Sequence, residues 1–376
     1  MIYLDNSATT NPKPQEVKNA VSRAMNYYSF NSGRGGYKES VNTSNMIFSC
    51  RESLSQMFGF SPENIAFTQN CTTALNYAIK GIVKPGDHII ISNLEHNAVA
   101  RPVNALFEKG IIEYDLAEFS FDKEEIINNF KKLIKPNTKL IVCMHASNVF
   151  GCVFPIREIG KLAHDNGIIF VVDAAQSAGV LDIDAKRDNI DILCAPGHKG
   201  LYAPMGTGFI ALGDNIKLDT IIEGGTGSES MNLAQPDNMP ERLESGTLNN
   251  VGISGLLAGT RFVNAKGISN IYKHENRLMQ YVYKELSKNQ NVTLYTPCFN
   301  DFLLAPILSF NYKDYPSEKT ASLLAEKNIA TRAGFQCSKL AHTAFGTQNR
   351  GTVRISPSVF TKYSECENFI NILKKL

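Results

Sequence analysis

Apolar positions along this chain recur at two spacings, and the two alternate. Short runs rich in β-branched and aromatic residues read as strands at Ile65–Thr68, His88–Ser92, Leu140–His145, Ile168–Asp173, Ile190–Cys194 and Gly208–Leu212. Between most of them the spacing is helical, as in Ala74–Ile82, Glu124–Ile134 and Ile156–Asn166. Around Ser40 to Phe58, Ile47, Cys50, Leu54 and Met57 follow one another at steps of three, four and three, which places them on one helix face. Alternation of this kind predicts βαβ units and a mostly parallel sheet, with ligands bound beyond the carboxyl ends of the strands. The pattern changes after about residue 253. One long helical stretch, Val251 to Leu286, leads to strand-like Pro306–Asn311, a helix near Glu318–Lys327, strand-like Gly351–Ser356 and a final helix. The expectation is an α/β fold with a large domain over residues 13–253 and a smaller α+β domain made of 1–12 and 254–376.

Composition narrows the class of protein. Hydrophobic residues make up 43% and charged residues 20% of the 376, an ordinary balance for a globular chain with a large core. The 38 basic and 36 acidic residues give a net charge of +2, so nothing calls for nucleic acid or an anionic membrane as partner. The eight cysteines are scattered without a Cys-x-x-Cys pair, which argues against a zinc site and against a secreted disulfide framework. Met1 leads directly into Ile-Tyr-Leu-Asp, no signal peptide is evident, and no run of eighteen apolar residues occurs. A reduced, cytoplasmic protein without a metal site is expected.

The candidate chemistry sits at the predicted strand ends. Ile190–Cys194 runs into Ala-Pro196-Gly197-His198-Lys199-Gly, placing an amine at the end of a buried strand. A buried lysine has a depressed pKa and can act as the nucleophile toward an aldehyde. Asp173 closes the preceding strand with Gln176 a turn later, and its carboxylate suits a pyridinium nitrogen. Thr68-Gln-Asn-Cys71-Thr72-Thr73 is a strand-to-helix junction whose backbone N–H groups and Thr72 hydroxyl form a natural phosphate cup. His96 follows another strand and could stack on a flat ring; Asn148 follows a fourth and could bond a ring hydroxyl. Each has a plainer reading taken alone: Asp173 and Thr72 as helix caps, His96 as a packed histidine, Asn148 as a turn residue. Together they suit one aromatic phosphate ligand.

Val172-Asp-Ala-Ala-Gln-Ser-Ala-Gly179, Ala195-Pro-Gly-His-Lys-Gly200 and Arg242-Leu-Glu-Ser-Gly-Thr-Leu-Asn249 resemble the class V aminotransferase family of pyridoxal-phosphate enzymes, and its cysteine desulfurase and selenocysteine lyase branch most closely. The resemblance runs from Tyr3-Leu-Asp-Asn-Ser-Ala-Thr-Thr10 to about Phe360. It implies the fold type I of such transferases, with a sheet of the seven-stranded type between helices, and a homodimer. It implies that Lys199 holds pyridoxal 5'-phosphate as a Schiff base, that Asp173 faces the ring nitrogen, Gln176 and Asn148 the ring oxygen, and His96 the ring face. Thr72 and His198 would bind the phosphate, Thr247 would reach it across the dimer interface, and Cys71, Pro196 and Gly197 would line the same site. Arg354 matches the arginine that clamps the substrate carboxylate, a task for which a bidentate guanidinium is suited. Arg34, in Asn31-Ser-Gly-Arg34-Gly-Gly-Tyr37, would contact substrate or partner, or form an ordinary turn. The chain departs from the family at Pro196, where Ser or Thr usually supplies a hydroxyl, at Cys71, and at Cys152, where Thr is usual and which would bring a second thiol near the cofactor.

Arg332-Ala-Gly-Phe-Gln-Cys337 resembles the segment of the second group of cysteine desulfurases in which a cysteine thiolate takes sulfur from the cofactor-bound substrate as a persulfide. Arg332, Lys339 and His342 are candidates for an electropositive setting around that thiol; a packed core cysteine is the plainer alternative. The resemblance therefore implies a cysteine desulfurase converting L-cysteine to L-alanine, with selenocysteine as a further substrate and a sulfur-acceptor protein as a possible partner. Another class V enzyme (an aminotransferase, epimerase or C–S lyase) and a catalytically silent cofactor-binding module remain as rivals.

Overall fold

A computed structural model of the chain describes residues 1–32, 35–299 and 301–376. β1 (Ile2–Tyr3), α1 (Gln15–Tyr27) and α2 (Lys38–Phe58) precede a long alternation. It runs β2 (Ile65–Thr68), α3 (Cys71–Ile82), β3 (Asp87–Ser92), α4 (Asn97–Glu108), β4 (Ile112–Ala117), α5 (Lys123–Lys132), β5 (Thr138–Met144), α6 (Ile156–Asp165), β6 (Ile169–Asp173), β7 (Ile192–Pro196) and β8 (Gly208–Leu212). The strands form a seven-stranded sheet in the order β2-β8-β7-β6-β5-β3-β4. Neighbours from β7 to β4 pair in parallel; β8 is antiparallel to both β7 and β2. An antiparallel neighbour needs only a short connection, and the β7–β8 connection carries Lys199.

Side chains alternate across most of this sheet, as a pleat requires. Ile90, Ile141, Cys143, Phe170, Val172, Leu193 and Phe209 pack with α2, α5 and α6 on one face. Ile89, Ile91, Val142, Val171, Ile192 and Ile210 pack with α3 and α4 on the other. Burial on both faces is why the central strands read as continuous apolar runs rather than as alternation. The edge strand β4 lacks that signature: Ile112 and Ala117 are buried, while Leu116 is exposed, so its sequence does not stand out as a strand.

The rest of the chain comprises α7 (Asn250–Lys266), α8 (Ile268–Leu286), β9 (Val292–Leu294), β10 (Leu308–Tyr312), α9 (Ser317–Glu326), β11 (Ile329–Ala330), α10 (Lys339–Ala344), β12 (Val353–Ile355) and α11 (Tyr363–Leu373). The single helix expected over Val251–Leu286 is two, because Gly267 adopts φ 81° and its N–H closes α7 on Val263 O. β12, β10 and β9 form an antiparallel sheet, and β1 pairs in parallel with β11. A separate core of Leu4, Leu278, Met279, Phe310, Val353, Ile355 and Phe369 fills this part, so the N-terminal strand packs with the C-terminal elements. Among the described residues no helix is long and apolar enough to cross a membrane.

Candidate active site

The parallel register brings the carboxyl ends of β5, β6 and β7 to one edge of the sheet, beside the N-termini of α3 and α4. A cavity of about 280 Å³ opens there. Its walls include Cys71, Thr72, His96, Asn148, Asp173, Gln176, Pro196, His198 and Lys199 from the large sheet and its loops. Arg332, Gln336, Cys337 and Arg354 close it from the side of the smaller sheet. The strand ends singled out in the sequence thus converge on one space.

Asp173, the last residue of β6, is buried; its Oδ1 accepts the Ala175 N–H at 2.8 Å and the Cys71 S–H at 3.6 Å. Burial raises its pKa, and the Ala175 bond and the Lys199 charge hold that rise back. Burial also lowers the Lys199 pKa, opposed first by Asp173. The two groups therefore support each other's charge in a dry setting, and removal of either leaves the other uncompensated. At α3, Asn70 caps the helix by accepting the Thr73 N–H at 2.9 Å. Cys71 and Thr72, whose N–H groups lie ahead of the helical ladder, border the cavity, and such a helix start suits an anion.

His96 caps α4: its Nδ1 accepts the Ala98 N–H at 3.0 Å. That bond assigns the proton of the neutral ring to Nε2. Burial, with Lys199, Arg354 and Arg101 nearby, lowers its pKa to about 4, so the ring is neutral at pH 7. His198 is likewise held at about 4 by burial and the Lys199 charge, and its Nδ1 is buried without a hydrogen-bond partner among the described residues. Gly197 has no room for a larger residue, since an added Cβ would lie 2.5 Å from Thr207 Oγ1.

Arg354 lies on β12 and is 3% exposed. Nη2 pairs with Asp5 Oδ1 at 2.8 Å, Nη1 donates to Asn148 O at 2.7 Å, and Nε is buried without a partner among the described residues. Asn148 also faces the Cys337 loop, donating Nδ2 to Gln336 O at 2.8 Å and accepting the Ser338 hydroxyl at 2.7 Å. The Gln176 amide donates to Ser7 O at 3.1 Å.

Other expected residues stand apart. Thr247 borders a different cavity of about 450 Å³, together with Arg51 and Glu244, and does not reach the lysine within its own chain. Arg34 lies outside the described residues. Cys152 is fully buried in the large core, where burial pushes its thiol far up; it does not border the cavity, so the second thiol expected near the cofactor is a core residue. Cys337 is exposed and borders the cavity, which removes the packed-core alternative for it. Of the cationic groups expected around that thiol, Arg332 borders the cavity while Lys339 does not. The His342 ring is buried and turned to Gln336 and Thr347 rather than to the thiol.

Sequence reasoning passed over Asp5, Gln336 and Glu95. Asp5 gives no local signal because its partner Arg354 lies at the other end of the chain. Glu95 precedes His96 and is fully buried; its Oε1 accepts Ser92 Oγ–H at 2.6 Å and Met144 N–H at 2.7 Å. Burial raises its pKa to about 8, so the carboxyl is mostly protonated at pH 7.

The sequence model of the class V aminotransferases (Aminotransferase class-V) matches residues 2–369. A probable cysteine desulfurase of Pyrococcus abyssi (strain GE5 / Orsay) is 31% identical, over 100% of this chain and 94% of the relative. One of Methanothermobacter thermautotrophicus is 29% identical over 97% of this chain and 92% of the relative. Among solved structures, the apo structure of a cysteine desulfurase from Thermococcus onnurineus NA1 superposes with a TM-score of 0.92 at 30% identity, covering 100% of this chain and 94% of that one.

Proposed function

The chain belongs to the class V aminotransferase family, and from that premise we propose that it is a pyridoxal-phosphate-dependent cysteine desulfurase that converts L-cysteine to L-alanine and passes the sulfur to Cys337. The observation that carries this reading is the placement of the exposed Cys337 on the wall of the Lys199 cavity. Pyridoxal enzymes that only exchange amino groups have no need of a thiol there.

The donor set fits the cofactor. A lysine of lowered pKa supplies the amine, a buried carboxylate at a strand end suits the ring nitrogen, and a helix N-terminus suits the phosphate. The unpartnered His198 Nδ1 and Arg354 Nε are buried polar atoms that a bound phosphate and a substrate carboxylate would satisfy. Pyridoxal phosphate supplies an electron sink at the substrate α-carbon; the chain supplies the rest. Lys199 would hold the cofactor and, once freed from it, take up the proton at that carbon. His96 would cover the cofactor ring as a neutral imidazole, and Asn148 and Gln176 would address its ring oxygen. Arg354, fixed by Asp5, holds the carboxylate. The Cys337 thiolate attacks the substrate sulfur, the C–S bond breaks with its electron pair going to carbon, and protonation there releases alanine. Cys337 is left as a persulfide.

In the same reading residues 13–253 form the cofactor domain and 1–12 with 254–376 the smaller one, two copies associate, and Thr247 completes the phosphate site of the partner subunit. Selenocysteine is a second substrate, and an acceptor protein relieves Cys337 of its sulfur. The test is to add pyridoxal phosphate and then L-cysteine to the purified protein, following the visible absorbance of the bound cofactor and the release of alanine. Cofactor binding without alanine release, or alanine release only with an added keto acid, sinks the proposal.

A further inference from the structure

Cys337 is held in an uncommon backbone conformation. Both it and Gln336 have positive φ, 56° and 40°, a left-handed region unfavourable to residues with a Cβ. Consecutive residues stay there only where their surroundings over-determine them. Those surroundings are visible. On the large-sheet side, Asn97 N–H donates to Cys337 O at 2.8 Å and Asn148 Nδ2 to Gln336 O at 2.8 Å. On the other side the Gln336 side chain, 8% exposed, donates Nε2 to Thr352 O at 2.9 Å and offers Oε1 to His342 Nε2 at 3.0 Å.

The hydrogen-bond directions follow from the partners. Thr352 O can only accept, so the Gln336 amide nitrogen faces it and Oε1 faces the imidazole. His342 Nε2 must then carry the proton, which leaves Nδ1 to accept the Thr347 hydroxyl at 2.7 Å. The ring is 1% exposed and lies edge-on between Phe335, 5.4 Å away, and Phe150, 5.8 Å away. Both ring nitrogens are used away from the thiol, so His342 is placed to hold the loop and not to exchange protons with Cys337.

We propose that Thr347, His342 and Gln336 form a buried strut that fixes the left-handed turn at Cys337 and so aims its thiol into the Lys199 cavity. These are positioning residues: Thr347 and His342 lie behind the loop, and the Gln336 amide, though its residue borders the cavity, is engaged by Thr352 O and His342. The strut's consequence for sulfur transfer rests on the reading of Cys337 as the sulfur acceptor, whereas its consequence for the loop does not. A displacement of the thiol by about 1 Å on release of the turn would cost on the order of 100-fold in rate.

The experiment compares cofactor-loaded wild type with H342F, which retains a ring between Phe335 and Phe150 but loses the donor, and H342Q, whose amide can again donate to Gln336. Q336M serves as an independent break in the strut should H342F fail to fold. Alkylation of Cys337 by iodoacetamide, followed by peptide mass, reports the loop irrespective of any activity. H342F and Q336M should alkylate roughly fivefold or more faster than wild type, with H342Q near wild type. Alanine release from L-cysteine should fall about tenfold or more in kcat for H342F and Q336M, with KM within about twofold and recovery in H342Q. Wild-type alkylation in both H342F and Q336M, or no recovery in H342Q, overturns the strut. Altered alkylation with unaltered turnover overturns its role in aiming the thiol. If C337A keeps wild-type turnover, it is the sulfur-acceptor reading that fails, and the alkylation result still decides the strut.

Discussion

The ion pair between Arg51 and Glu244 offers a quantitative test of how the loop bearing Thr247 is fastened to the large sheet. Arg51 Nη2 lies 2.6 Å from Glu244 Oε2 and 2.8 Å from Oε1, with side chains 9% and 7% exposed. Arg51 Nε donates to Ile65 O at 3.0 Å, and Glu244 Oε1 accepts Phe67 N–H at 2.7 Å, so the pair straddles β2. Glu244→Leu leaves a buried guanidinium without its counter-charge, roughly 3–5 kcal/mol, and Phe67 N–H without an acceptor, roughly 1–3 kcal/mol more. Arg51→Met leaves the carboxylate uncompensated, again about 3–5 kcal/mol. The double variant should cost only about 1–3 kcal/mol, because an apolar pair replaces the ionic one and only two backbone groups, Phe67 N–H and Ile65 O, lose a partner. Guanidinium denaturation followed by far-ultraviolet circular dichroism on all four proteins gives the coupling. A double variant more stable than Arg51→Met by about 2 kcal/mol, and than Glu244→Leu by more, is expected. Additivity within about 0.5 kcal/mol would refute the reasoning, since it would mean the charges do not act as a pair.

Two further outcomes follow from the geometry. Gly197→Ala places a methyl 2.5 Å from Thr207 Oγ1 and 2.9 Å from Ala203 Cβ, so the turn before Lys199 must shift; pyridoxal phosphate affinity, titrated by absorbance, should weaken about tenfold or more, and unchanged affinity would show that the turn is slack. His96, His198 and His342 titrate near 4 in the folded chain against 6.5 for the free side chain. The unfolded chain takes up protons first, so their contribution to stability is complete above pH 6.5 and is lost as pH falls toward 4. Glu95 and Glu275, held at about 8 by burial, act in the opposite sense, so the measurement is a comparison: denaturation midpoints should fall less from pH 6.5 to 4 in H342Q than in wild type, and parallel profiles would contradict the buried neutral state of the His342 ring.

Much of this was legible in the sequence where the signal is local. The central strands are buried on both faces, so their apolar runs stand out, and the groups that follow them are carried to one edge by the parallel register. Ile65–Thr68 and Gly208–Leu212 match the observed strands. The edge strand β4 was not legible because only Ile112 and Ala117 of its six side chains are buried, and the α7–α8 break was missed because a lone glycine inside a helical pattern does not announce a positive φ. Contacts that close through space were hidden altogether. Asp5 meets Arg354, and His342 turns away from Cys337 toward Gln336. Charge counted along the chain placed His342 beside the thiol; its burial and two hydrogen bonds instead place it behind the loop. Cys152 failed for a similar reason, since neighbouring the turn at Gly151 says nothing about which way the next side chain packs.

The most direct measurement is a single turnover of the cofactor-loaded protein with one equivalent of L-cysteine, read by peptide mass and by released alanine. One equivalent of alanine and one added sulfur atom on the peptide containing Cys337 are expected, with no added sulfur on the peptides containing Cys71 or Cys152. Alanine formed at the wild-type rate by C337A, or sulfur found on another cysteine, would contradict the assignment of Cys337 as the group that takes the sulfur.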